Sequence, residues 1–362
     1  MSRHPLSLRR RLALEAWRLN EKIRIDNHEL RQLFWECTLR CNLNCRHCGS
    51  DCKSVASQPD MPKEDFLRVL DNIAANTNPN KVFVVITGGE PLMRNDLEEC
   101  GQAIYKKGFP WGIVTNGLTM TPKRLQSLVA SGMHTITVSL DGLEEEHNFM
   151  RGNAQSFKRA TEAIKIISAE NRLKSDVVTC VNRRSIKNLD TIKELLISLG
   201  VTEWRLFTIF PAGRAAQDEA LQLTSEEYQY LMEYIKLNRK EETRIKLNYC
   251  CEGFMGDYES DIRDHFFSCQ AGINVGSVLI DGSIGACPSI RADYNQGNIY
   301  KDNFWDVWQN RYEVYRNREW MRTGICADCN MFRYCNGNGM HLRDNNGSLL
   351  HCNLKKLYEK KL

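Results

Sequence analysis

Cysteine spacing constrains this chain more than any other feature. Fifteen cysteines occur in 362 residues, and they are grouped rather than scattered. The first group reads Cys37-Thr38-Leu39-Arg40-Cys41-Asn42-Leu43-Asn44-Cys45-Arg46-His47-Cys48, with Cys52 close behind. A single register within it gives C-x3-C-x2-C: Cys41, Cys45 and Cys48. Three thiolates in one short loop can hold three irons of a [4Fe–4S] cube and leave the fourth iron open. An open coordination position is what catalytic metal sites keep. Zinc is the alternative. It asks for four ligands in C-x2-C pairs, and Cys37 or Cys52 would complete such a set.

A secreted disulfide scaffold fits poorly. The chain is long, the cysteine count is odd, and no apolar signal segment follows the N-terminal arginines. Clustered cysteines point instead to metal or redox chemistry in a reducing compartment, so a cytoplasmic protein is expected. No apolar run approaches the roughly 20 residues that span a bilayer. The net charge is +4, and the basic excess sits at the N-terminus in Arg3, Arg9, Arg10, Arg11, Arg18, Lys22 and Arg24. The body lacks the basic face with interleaved aromatics that nucleic acid requires, so nucleic acid is not an expected partner. The basic N-terminus can touch anionic lipid or a partner peripherally. The alternative is an amphipathic helix that packs Leu12, Leu14, Trp17 and Leu19 on the body.

From residue 33 to about 210, short Val-, Ile-, Thr- and Phe-rich runs alternate with amphipathic stretches. The runs Leu33–Cys37, Val82–Ile86, Trp111–Thr115, Thr135–Leu140, Val177–Val181 and Trp204–Phe210 read as strands. Helices are expected near 62–75, 94–107, 122–131, 155–169 and 187–199, with Thr121-Pro122 and Asn95 as start signals. This alternation predicts an α/β fold with a parallel sheet, whose carboxyl-end loops bind ligands. A helix over 224–240 and the segment Arg244–Asn248 follow, and then a loop-rich, cysteine-rich region. The expected division is a basic N-terminal extension (1–30), a core (31–215), a bridging helix and strand (216–248) and a C-terminal domain (249–362).

The motifs behind these strands carry a resemblance. Cys41, Cys45 and Cys48, with His47 at the position before the last cysteine, resemble the C-x3-C-x-Φ-C motif of the radical S-adenosylmethionine (SAM) superfamily. Thr87-Gly88-Gly89-Glu90-Pro91 looks like that family's GGE motif. Thr115-Asn116-Gly117 ends the third strand, Ser139-Leu140-Asp141-Gly142 ends the fourth, and His147 and Met150-Arg151-Gly152 follow. The resemblance implies a partial (β/α)6 barrel. It also implies SAM contacts from His47, Gly88, Gly89, Glu90, Pro91, Asn116, Ser139 and Asp141, with Arg151 facing the methionine carboxylate. Each of these positions is also open to a plain reading as a turn, a cap or a surface group. In the family, SAM chelates the open iron, and one electron from the cluster cleaves it to methionine and a hydrogen-abstracting 5′-deoxyadenosyl radical. An electron donor such as flavodoxin or ferredoxin is therefore implied. The radical belongs to the cofactor, and the protein supplies position and shielding.

Downstream, Cys269, Cys287, Cys326-Ala-Asp-Cys329, Cys335 and Cys352 resemble the SPASM extension, which binds auxiliary iron–sulfur clusters. By that pattern, Cys326, Cys329, Cys335 and Cys352 hold one closed cluster, for which zinc is again the alternative. Cys269 and Cys287 belong to a second cluster, but its expected further cysteine is Gly339. One auxiliary cluster is therefore expected. The other is degenerate, absent or completed by something else, with Cys250, Cys251 and His265 as candidates. The resemblance implies radical modification of a peptide or protein. Within the family it is nearest to the radical SAM/SPASM proteins associated with lipoprotein gene systems. Two alternatives are radical chemistry on a small molecule, such as a tetrapyrrole or cofactor precursor, and a non-catalytic iron–sulfur or zinc scaffold.

Overall fold

The β-branched and aromatic runs pair edge to edge because each can bury both faces, one against helices and one toward a central channel. In the computed structural model, which describes residues 6–358 other than Cys251, helix α1 (Leu8–Asn27) precedes the sheet. Six strand–helix units follow: β1 (Gln32–Thr38) and α2 (Lys63–Ala74), β2 (Phe83–Gly88) and α3 (Leu97–Lys106), β3 (Trp111–Thr115) and α4 (Pro122–Ala130), β4 (Met133–Ser139) with α5 (Glu144–Arg151) and α6 (Ser156–Ser168), β5 (Lys174–Val181) and α7 (Leu189–Ser198), and β6 (Glu203–Thr208) with α8 (Ser225–Glu241). Strand β7 (Lys246–Tyr249) adds to β6.

Strands β1 to β7 are neighbours in chain order and all parallel. The sheet curves without closing, which makes it a partial barrel. Helix-facing side chains such as Val84, Ile86, Ile113, Ile136 and Val138 are fully or almost fully buried. At about 1.5–3 kcal/mol per buried apolar side chain, this layer supplies the main drive for folding. The six expected strands and their helices appear within a few residues of their predicted bounds. Thr121 caps α4, its hydroxyl accepting from the Arg124 amide. Asn95 does not cap α3; Asp96 holds that position, without a side-chain bond to the helix. Helix α5 was not anticipated, because it is short and follows the strand end directly.

The C-terminal region continues the same sheet. Strand β8 (Val275–Val278) pairs parallel to β1 on the edge opposite β2, and β9 (Ser283–Gly285) and β10 (Gly297–Asn298) follow antiparallel. Short helices α9 (Phe304–Asn310), α10 (Glu313–Arg316), α11 (Phe332–Cys335) and α12 (Asn353–Tyr358) complete it. Helix α1 lies on this region: Arg10 pairs with Asp261, Glu15 with Arg333, and Trp17 stacks on His265. Leu14 is buried there, but Leu12 and Leu19 are exposed on the outer face beside Leu8 and Ile23. The expectation that Leu12 and Leu19 pack on the body therefore fails. The inward arc of the helix is taken by Arg10, Leu14, Trp17 and Glu21, and these two leucines lie opposite it. A cavity of about 790 Å³ opens between α1 and the C-terminal region, lined by Trp17, Glu21, Arg316 and Arg318 among others. Among the described residues, no cysteine lines it. Among the described residues, no helix is long and apolar enough to cross a membrane.

Gly88 makes the junction of β1 and β2 possible. Its φ is +135°, and a Cβ there would stand 2.1 Å from the Thr38 carbonyl oxygen. Gly88→Ala is expected to cost about 3 kcal/mol or more, because left-handed strain and a backbone clash act together. Chemical denaturation measures this, and a loss under ~1 kcal/mol would show that the junction can relax.

Candidate functional site

The carboxyl ends of the parallel strands gather the expected residues at one mouth. The cysteine loop leaves β1 and is pinned from three directions. The Cys41 amide donates to the Lys53 carbonyl at 2.8 Å, and the Arg46 amide donates to the Met150 carbonyl at 2.9 Å. Arg214, beyond β6, donates through Nε to the Cys45 carbonyl at 2.7 Å and through its amide to the Cys48 carbonyl at 3.0 Å. Arg214 had no sequence signal, because its role depends on where the chain after β6 returns. Cys41, Cys45 and Cys52 are buried together with Cys48 packed against them. Burial pushes the Cys41 thiol up to about 11. Cys48 is pushed down, chiefly by a hydrogen bond from Cys52 and further by the charge of Arg214. Metal binding here would displace protons from the thiols.

Gly89 and Glu90 hold the loop against β2. Their amides donate to the carbonyls of Thr38 and Arg40 at 2.8 and 2.9 Å, and a Cβ on Gly89 would lie 2.2 Å from the Arg40 oxygen. What the two glycines admit is therefore the cysteine loop itself. Glu90 is buried, which pushes its carboxyl up. It accepts from the Thr115 hydroxyl at 2.7 Å, the Asn116 amide at 2.8 Å and the Leu92 amide at 3.1 Å, tying β2 to β3. Pro91 begins the short turn that follows. Asn116 Nδ2 donates to Asn42 Oδ1 at 2.8 Å, which links β3 to the cysteine loop.

From β4, Ser139 is half-buried at the mouth and Asp141 is fully buried. Arg151 Nε lies 2.7 Å from Asp141 Oδ2, and its Nη1 points at Cys45 Sγ from 3.7 Å. Arg151 thus faces Asp141 in this structure, with the cluster loop at its other end. Burial pushes Asp141 up, but the Arg151 charge, His47, His147 and the Cys180 amide together outweigh it and hold the carboxyl at about 2. His147 fixes the turn: its Nδ1 accepts from the Asp141 amide at 3.0 Å, so the ring proton is on Nε2, facing Ser156 Oγ at 2.9 Å. Burial lowers His47 to about 4, so its imidazole is neutral, with Nε2 3.6 Å from Asp141 Oδ2.

The residues fit the group they are expected to hold. His47 Nδ1 and Asn42 Nδ2 are buried without a partner beside the cysteine loop, a cost that a bound polar ligand removes. His47, Asp141 and Cys180 are the one trio of potential ligands, among the described residues, whose atoms lie within 4.8 Å of one another. Arg151 already neutralises that carboxylate. Because no three cysteine sulfurs come that close, neither cysteine set has the spacing of a single zinc ion, whose sulfurs lie ~3.8 Å apart at Zn–S bonds of about 2.3 Å.

The remaining cysteines separate by surroundings. Cys37 and Cys100 pack around the buried Arg94, whose guanidinium donates to the Cys37 and Met61 carbonyls at 2.8 Å each. Cys250 lies by Arg205 on the channel side of β6 and β7, Cys251 lies outside the described residues, and His265 is stacked on Trp17. Sequence reasoning also missed Glu252. It is buried just beyond β7 and accepts from the Thr208 amide at 2.9 Å, the Thr208 hydroxyl at 2.6 Å and the Tyr249 hydroxyl at 2.5 Å. Its only signal was an acidic residue just past a strand end. Burial pushes its carboxyl from 4.5 up to about 7. A raised folded value means that the folded state binds the extra proton. Stability should therefore fall as pH rises from about 4.5 to about 7, by about 3 kcal/mol. Glu252→Gln should flatten that slope in thermal melts across this range, and an unchanged slope would exclude Glu252 as its source.

Known proteins share this organisation. The profile of the radical SAM superfamily matches residues 35–196, and that of the SPASM iron–sulfur cluster-binding domain matches residues 269–330. The AdoMet-dependent heme synthase of Methanosarcina barkeri is 25% identical over 325 residues, covering 85% of this chain and 90% of that protein. The mycofactocin maturase MftC of Mycolicibacterium smegmatis is 29% identical over 313 residues, covering 85% and 77%. Among solved structures, Streptococcus suis SuiB bound to its precursor peptide SuiA matches with a TM-score of 0.69 at 17% identity, over 88% of this chain and 75% of that one. AdoMet-bound anSMEcpe matches with 0.70 at 18%, over 91% and 96%. This chain belongs to the radical SAM superfamily, as an enzyme that uses SAM and a [4Fe–4S] cluster and carries a SPASM domain for auxiliary iron–sulfur clusters.

Proposed function

We propose that this enzyme modifies a peptide or protein. The observation that carries the reading is the 29% identity to a mycofactocin maturase along 85% of the chain. The laterally open sheet, which ends at β7 without closing, supports it by leaving room for an extended chain. Cys41, Cys45 and Cys48 hold the catalytic cluster. His47, Gly88, Gly89, Glu90, Pro91, Asn116, Ser139, Asp141 and Arg151 form the SAM cradle, with Glu90 and Asp141 as its internal ties. When bound, the cluster and SAM supply a radical that takes hydrogen from an unactivated C–H. The chain itself orients SAM, excludes water and presents the substrate at the strand ends. Cys326, Cys329, Cys335 and Cys352 hold the closed auxiliary cluster, and flavodoxin or ferredoxin supplies electrons.

The second reading is a tetrapyrrole substrate. It is favoured by the 25% identity to a heme synthase that reaches across 90% of that relative. Anaerobically reconstituted enzyme with dithionite and SAM should separate the two. Short peptides encoded by neighbouring genes are expected to raise 5′-deoxyadenosine release and to change mass. Release driven by iron-coproporphyrin III and by no peptide would overturn the peptide reading.

A further inference from the structure

Cys269 and Cys287 are dressed like metal ligands although their set looks incomplete. Cys269 precedes β8 and Cys287 follows β9, and both lie by Tyr315. Cys269 Sγ accepts from the Met340 amide at 3.5 Å, and Cys287 accepts from Ser289. The closed set has the same dress: Cys352 Sγ accepts from the Lys355 amide at 3.4 Å and Cys326 Sγ from Arg343 at 3.4 Å. N–H donors aimed at sulfur favour thiolate and tune a cluster. Cys100 differs in also donating, to Asp96 at 3.6 Å, while it accepts from Arg94 Nη2 at 3.7 Å. Both sulfurs of the pair thus face hydrogen-bond donors, as sulfurs of the closed set do.

Position 339 cannot help, because glycine has no side chain, but its space is filled. A Cβ on Gly339 would stand 2.6 Å from His341 Cε1 and 2.8 Å from His341 Nδ1. The tight turn over Met340–Leu342 folds the imidazole back over Gly339, and the edge of Phe210, just beyond β6, holds the ring at 4.8 Å between centroids. The same turn places the Met340 amide on Cys269 Sγ. No hydrogen-bond partner meets the ring nitrogens of His341 among the described residues. A larger residue at 339 would expel the ring, so the glycine and the histidine form one arrangement.

We propose that His341 supplies the ligand that Gly339 lacks, so that Cys269, Cys287 and His341 hold a second auxiliary iron–sulfur cluster between the barrel mouth and the closed cluster. Exchanging a thiolate for a neutral imidazole removes negative charge and raises a cluster's potential. Three protein ligands would leave one iron of a four-iron cluster without a ligand from the chain. The proposal rests on the reading of the SPASM domain given above, and the test separates the two.

The full chain, reconstituted anaerobically without SAM, is assayed for iron and, after dithionite reduction, by pulsed EPR with 15N-histidine labelling. About twelve irons per chain and a histidine nitrogen coupling are expected. His341→Ala and Cys269→Ala should each lose about four irons together with that coupling. His341→Cys should keep the iron and lose the coupling, which covers the case in which the alanine variant does not fold. About eight irons without a histidine coupling in the wild type, or full iron in His341→Ala, would overturn the proposal. Full iron in Cys335→Ala would instead overturn the closed-cluster assignment.

Discussion

Cys45→Ala protein is expected to release no 5′-deoxyadenosine above background, a loss of more than ~100-fold, the scale already reached by removing an outer-shell partner of a metal ligand. Two thiolates cannot hold three irons, and Cys45 carries more than its own bond. Its sulfur faces Arg151 Nη1 at 3.7 Å, and its carbonyl accepts from Arg214 at 2.7 Å. The variant should lose about four irons per chain while the C-terminal iron signal persists, because that set lies on different loops. Iron analysis and chromatography of the reaction mixture measure both. SAM cleavage within tenfold of wild type would remove Cys45 from the ligand set. Cys37→Ala is the contrast: its carbonyl serves Arg94, a bond that alanine retains, so only a packing loss is expected.

Asp141→Ala should destabilise the protein by about 3–5 kcal/mol, the cost of leaving a buried charge without its partner. The side chains of Asp141 and Arg151 are 1% and 10% exposed, with Nε and Oδ2 2.7 Å apart. The lost carboxylate would also release the Cys180 amide, which donates to Asp141 Oδ1 at 3.0 Å. Because the folded carboxyl is held at about 2, below its unfolded range, the pair's contribution is fully present above about pH 4 and is lost only as pH falls toward 2. Removing both charges in Asp141→Ala/Arg151→Met should recover part of the stability, since replacing a whole buried pair is far cheaper than breaking it. Urea denaturation of both variants tests this, and a single-variant loss below ~1 kcal/mol would mean that Arg151 finds another partner. The effect on turnover is expected to exceed the effect on stability, because Arg151 also faces the cluster loop.

The two variants probe different kinds of residue. Cys45 stands in a motif whose spacing alone implies an open cluster. Asp141 was expected through the family resemblance as a contact for SAM, and its tie to Arg151 is set by where α5 stops. Helix α5 ends at Gly152 in a left-handed turn, which places both the Arg151 side chain and the Met150 carbonyl on the cysteine loop. Glu90 changed most in meaning. Expected as a contact for the cofactor, it is in addition a buried tie between β2 and β3, its oxygens accepting from Thr115, Asn116 and Leu92.

The sequence by itself determined the strand–helix alternation, the parallel sheet and both cysteine groups. Hydrophobic period and ligand spacing are local properties, written in residues near one another. It also exposed the anomaly at Gly339. Only the tertiary structure decided what fills that space, because His341 reaches it through a tight turn and is held by Phe210, more than a hundred positions earlier in the chain. Arg214 and Glu252 likewise became visible only once β6 and β7 were laid beside β5. Such contacts depend on loop paths and sheet curvature, which no local pattern encodes. The incomplete cysteine set therefore reads as a gap in sequence and as a filled place in three dimensions.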